Sequence, residues 1–129
     1  MSKKKISPNQ KKTEARIERI RLRTESGLVS EHFPGVSHLL VRMNYYRNKT
    51  TPLLMIRTVN FVSSDCAYFN MACMGRNCMN GGFDLTQEID DLVKTHKDLG
   101  QGRMYCRGLD NDPASCPAMI DYVISISYK

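Results

Sequence analysis

The chain has no apolar run approaching the roughly 18 residues that a membrane-spanning helix needs. Its lysine-rich start, residues 1–8, has no apolar stretch behind the charges, so a secretory signal is not expected and the expected location is cytoplasmic. It has neither the glycine period of collagen nor the Ser/Thr/Pro bias of a mucin-like stalk. With 41% hydrophobic and 25% charged residues it is not short enough of apolar side chains to stay wholly disordered. It has no internal repeat, and residues 1–25 contain no aromatic side chain.

What is present suits one domain. A chain of 129 residues buries about two-thirds of its unfolded surface, so its stability need not rest wholly on disulfides or metal. The formal net charge is +6, and its distribution is informative. Residues 1–25 carry nine cations (Lys3, Lys4, Lys5, Lys11, Lys12, Arg16, Arg19, Arg21 and Arg23) against Glu14, Glu18 and Glu25. Residues 26–129 are balanced. The expected organisation is therefore a basic arm over 1–25, partly disordered or helical, and a single α+β domain over 26–129.

In the arm, Ser7-Pro8-Asn9-Gln10 can open a helix, with Ser7 as cap, Pro8 in the first helical position and Gln10 closing a capping box. Arg19 to Thr24 alternates as a half-buried strand would, whereas Ile17 and Ile20 fit a helix equally well. A helix followed by a strand and one continuous helix are both open. Residues 26–37 read as a loop. Leu39, Val41, Met43 and Tyr45 share one face of a strand, and residues 53–62 form the next, rich in β-branched and aromatic types. Residues 67–73 make another, and 103–107 a short one. Ile120, Tyr122, Ile124, Ile126 and Tyr128 give the clearest alternation of all. Leu85, Ile89, Leu92, Val93 and His96 form an apolar stripe at helical spacing. Asp84 is placed to cap that helix with Gln87 in its first turn, and Gly100 to stop it. The fold class expected is α+β: a mostly antiparallel sheet of about five strands, with one amphipathic helix at about 85–98 packed on it.

Five cysteines lie at 66, 73, 78, 106 and 116. Four fall into two pairs that each bracket a loop, Cys73/Cys78 with four residues between and Cys106/Cys116 with nine. Zinc takes four thiolates in a tetrahedron at about 2.3 Å, and two turns at adjacent strand ends can each supply two. Gly75, Gly81, Gly82, Gly108 and Pro117 beside them suit tight bends. The arrangement resembles a zinc ribbon, in which two loops each give two cysteines. It departs from that pattern in lacking a tight Cys-x-x-Cys knuckle and in having a helix between the halves. The resemblance implies one structural zinc per chain held by Cys73, Cys78, Cys106 and Cys116. Plain buried thiols, a disulfide, or a copper site drawing on Met71, Met74 and Met79 are the alternatives. Cys66, His38 and His96 are possible substitutes among the four ligands.

No catalytic constellation is evident. A four-thiolate zinc has no open position, His32, His38 and His96 belong to no motif, and Asp90-Asp91 and Asp110-Asn111-Asp112 read as solvated charge. Gly81-Gly82 lacks the Lys and Ser/Thr of a phosphate loop. The function expected is that of a small non-enzymatic protein whose nine arm cations contact RNA or DNA non-specifically, with Tyr45 and Tyr46 available to stack on bases. The other class is a protein-interaction or assembly module with no nucleic-acid role.

Overall fold

The computed structural model describes residues 8–73, 78 and 81–129. The first element, α1 (Pro8–Glu25), is one continuous helix, which corrects the reading of a strand at 19–24. A strand there would need a neighbour and a buried face. Instead Ile20 is 55% exposed, and the local pairs are helical ones. Arg21 bridges Glu18 and Glu25, and Thr24 Oγ1 donates to the Ile20 carbonyl at 2.9 Å. The proposed Ser7 cap lies outside the described residues.

A short helix α2 (Val29–His32) lies within the segment read as loop. The strands β1 (Val36–Tyr46), β2 (Met55–Val62), β5 (Leu99–Tyr105) and β6 (Met119–Tyr128) form an antiparallel sheet in the order β2-β1-β6-β5. The fifth expected strand is present as β3 (Asn70–Ala72). It stands apart and pairs with β4 (Gly82–Asp84), a strand not anticipated, to make a two-stranded hairpin.

The register explains the core. Val41 faces Val59 and Ile124, and Leu39 faces Phe61 and Ile126, so one apolar row crosses the sheet. Strict period-two side-chain placement sends the intervening residues, Arg42 among them, to the outer face. The inner face is covered by Val29, Phe69, Phe83, Leu85 and Ile89, all buried. Phe61 meets Phe69 edge to face at 5.1 Å, and Tyr45 meets Phe83 at 5.9 Å.

The amphipathic helix is α3 (Thr86–Lys94), shorter than 85–98. The N-cap position is Leu85, one residue later than expected and without a side-chain cap, and Asp84 Oδ1 accepts from the Thr86 N–H at 3.0 Å from just before it. Gln87 does not reach back to the cap; it donates to Asp91 at 2.8 Å. The helix ends where His96 adopts φ 53°, well before Gly100. Gly100 lies in β5 instead, where a Cβ would stand 2.6 Å from Leu92 Cδ1. The missing side chain lets α3 lie close on the sheet. Among the described residues, no helix is long and apolar enough to cross a membrane.

Candidate metal centre

Cys73 follows β3 directly and Cys78 precedes β4, so one hairpin end supplies both. Cys106 follows β5, and Cys116 precedes β6 after two 3-10 turns, Leu109–Asn111 and Pro113–Ser115. The second hairpin end therefore supplies the other two. The hairpins belong to different sheets and meet at this end, where the Arg107 N–H donates to the Gly82 carbonyl at 3.1 Å.

The four sulfurs all lie within 4.8 Å of one another. Contacts cross between the loops, with Cys78 to Cys106 at 3.4 Å and Cys73 to Cys116 at 3.7 Å. A regular tetrahedron with metal–sulfur bonds of about 2.3 Å has sulfur–sulfur edges of about 3.8 Å. The observed spacing brackets that value. It far exceeds a disulfide bond of about 2.05 Å, and all five cysteines are free thiols. The cluster could hold a metal ion. Cys78, Cys106 and Cys116 are buried, and Cys73 is half-buried.

The backbone is shaped to this cluster. A Cβ at Gly81 would collide with Cys78 Sγ and stand 2.8 Å from Cys106 Sγ, so only glycine fits between the sulfurs. Gly108, at φ +83°, turns the chain back so that its N–H donates to Cys106 Sγ at 3.3 Å. Asp112 caps the second 3-10 turn by accepting from the Ala114 N–H at 3.2 Å, so this acid closes the loop that presents Cys116.

The environment separates two of the thiols. Burial, then the contact with Cys106, pushes the Cys78 thiol well above its usual range. Burial acts the same way on Cys106, but hydrogen bonds from Gly108 and then Cys78 outweigh it and bring Cys106 below that range.

The remaining candidates fall elsewhere. Cys66 sits in a segment tied to residues 27–29, with the Ala67 N–H donating to the Gly27 carbonyl at 2.8 Å, and is not in the cluster. His38 lies against Ser127 at 3.3 Å, and His96 stacks on Tyr128 with ring centroids 4.0 Å apart. Neither joins the four sulfurs. Met71 is buried in the core opposite Phe83, while Met74, Met79 and Gly75 lie outside the described residues.

The arm cations divide into groups. Lys3, Lys4 and Lys5 lie outside the described residues, as does the side chain of Lys11. Lys12 and Arg16 are exposed, and no ion pair involves them among the described residues. Arg21 is engaged by two glutamates of its own helix. Arg19 donates to the Gly81 carbonyl at 2.6 Å, and the Arg23 guanidinium lies 5.7 Å from the Tyr68 ring centroid. Tyr45 cannot stack on a base. Its ring is 2% exposed and its hydroxyl donates to the Ala72 carbonyl at 3.4 Å.

The contact of Arg19 with Gly81 spans 62 positions, and nothing in the sequence pattern signals it. Family models, curated proteins and solved structures were all compared with this chain, and none matches.

Proposed function

We propose that this is a small non-enzymatic protein built around a structural zinc ion, one per chain, whose basic arm contacts nucleic acid without reading sequence. The observation that carries the metal reading is the gathering of Cys73, Cys78, Cys106 and Cys116 within 4.8 Å, with edge lengths suited to a tetrahedron of thiolates. Four soft sulfur donors in that geometry favour zinc or iron over calcium or magnesium. Four protein ligands leave no position for water or substrate, which supports a structural role over a catalytic one. The nucleic-acid reading is supported by the charge of residues 1–25, with Lys12 and Arg16 exposed on a helix.

Elemental analysis of the purified chain should show about one zinc per molecule, as a closed four-ligand site requires. Less than a tenth of that, with no iron or copper in its place, would refute the metal reading. Binding to a labelled single-stranded homopolymer should weaken steeply with salt. It should weaken further when Lys3, Lys4, Lys5, Lys12 and Arg16 are replaced by Ser. Equal binding by the substituted and original chains would refute the arm's role.

A second reading, a protein-interaction module, is favoured by one observation. Ile17 and Ile20 lie on α1 at 60% and 55% exposure, apolar anchors that a partner protein would cover.

A further inference from the structure

The contact between α1 and the cysteine centre links the two halves of this proposed function. Among the described side chains of α1 only Ala15 and Arg19 are half-buried; the others are exposed, including Ile17, Ile20 and Leu22. The helix is therefore held by little apolar burial. Two polar contacts join it to the body: Arg19 Nη2 to the Gly81 carbonyl at 2.6 Å, and Arg23 over the ring of Tyr68.

The place gripped matters. Gly81 is the residue wedged against the Cys78 and Cys106 sulfurs, and its neighbour Gly82 accepts from Arg107 of the other hairpin. The carbonyl that Arg19 holds is thus positioned by the sulfur cluster itself. A metal bridging four thiolates would lock two hairpins from different sheets into one end. Without it, only sulfur–sulfur contacts and a few backbone hydrogen bonds would join the two hairpins at this end.

Charge placement gives the link a consequence. Lys12, Arg16, Arg19 and Arg23 follow one another at spacings of four, three and four, so they line one face of α1. Docking turns Arg19, the half-buried one of the four, into the protein, while Arg23 stays exposed beside Tyr68.

We infer that metal occupancy of the cysteine centre controls the docking of α1, and with it the availability of Arg19 to a nucleic-acid backbone. This inference rests on the metal and arm readings above and adds their coupling. With metal bound, α1 is latched and displays Lys12, Arg16 and Arg23. With metal removed, the Gly81 carbonyl shifts, α1 swings free, and the stripe presents all four cations. By linkage the coupling is reciprocal: whatever factor metal contributes to docking, the latch contributes to metal affinity.

The test uses the full chain and begins with its zinc content, so failure of the metal reading shows before the coupling is judged. Amide hydrogen exchange across residues 13–25 should speed up about tenfold or more when zinc is stripped, and recover when zinc returns. Should stripping unfold the body, Arg19→Ala in the zinc-loaded chain supplies the same readout. It should release α1 while retaining about one zinc per chain. In competition against a chelator, Arg19→Ala should lose zinc affinity several-fold, and Arg16→Ala should not. On a single-stranded homopolymer, freeing Arg19 by stripping zinc from the original chain should steepen the slope of log K against log salt by about 0.7, the value per phosphate contact. A zinc-loaded Arg19→Ala chain with unchanged exchange in α1 would overturn the coupling, as would equal zinc affinities for the two variants. Exchange that rises on stripping with an unchanged salt slope would overturn the availability of Arg19.

Discussion

Replacing Cys78 by Ser should remove the metal and much of the thermal stability together, because in a site assembled from two hairpins binding energy is folding energy. A zinc affinity of about 12 kcal/mol, within the range for thiolate sites, corresponds to a Kd of about 1 nM. At about 1 µM free zinc the folded state then gains about 4 kcal/mol over the metal-free chain. Unfolding 129 residues carries an entropy of about 0.27 kcal/mol per kelvin, so this gain amounts to about 15 °C in Tm. A chelator has an approach, since Cys106 and Cys116 border a surface cavity of about 560 Å3 shared with Lys49, Tyr105, Pro113 and Pro117. The assay is thermal unfolding of the original chain and of Cys78→Ser, each with and without chelator, alongside zinc content. The original chain should drop by about 15 °C on chelation, and Cys78→Ser should melt near that lower temperature and ignore the chelator. Cys66→Ser, outside the cluster, should keep its zinc and melt within about 3 °C of the original. A chelated chain that melts with the loaded one would refute the reasoning, and so would a Cys66→Ser chain that falls as far as Cys78→Ser.

Other substitutions test the packing around the site. Gly81→Ala places a methyl against two sulfurs and should lower zinc affinity at least tenfold, measured by chelator competition, while Gly35→Ala, with open space around it, should not. Gly100→Ala should destabilise by about 1–3 kcal/mol through collision with Leu92. Pairing it with Leu92→Ala should cost less than the sum of the single changes in denaturant unfolding. Phe83→Ala empties a fully buried position between the small hairpin and the sheet and should cost about 3–5 kcal/mol by the same measurement.

The parts of this fold legible in the sequence are those where burial alternates with a fixed period. Residues 119–128 run between a wet and a dry face, so Ile120, Ile124 and Ile126 announce the strand. The α3 stripe does the same at helical spacing, and the cysteine pairing marks both hairpin ends. The parts that escaped have no such period. In α1 nearly every described side chain is exposed, so Arg19 to Thr24 fitted strand and helix alike, and ion pairs of Arg21 within the helix accompany the outcome. The strand β4 is three residues long beside two glycines, too short to alternate. That β3 leaves the main sheet is a fact of pairing, decided by Met71 meeting Phe83, and a single strand does not name its partner. The stop of α3 at His96 was missed because a left-handed φ at a non-glycine residue carries no signature in composition. The latch from Arg19 to Gly81 is a contact between one side chain and a distant carbonyl.

The central pair of the sheet joins β1 to β6, with Tyr46 opposite Met119 and Val36 opposite Tyr128. During synthesis on the ribosome, β1 therefore emerges long before its principal neighbour exists, and only β2 is at hand to pair with it. Its apolar row of Leu39, Val41 and Met43 must wait, partly uncovered, until residues 119–128 have been made. Closure of so long a loop is slow, and the waiting hairpin is the species most open to wrong association. Cys106 and Cys116 arrive just ahead of β6, so a metal captured at that moment would draw the small hairpin and the returning chain together as the sheet closes.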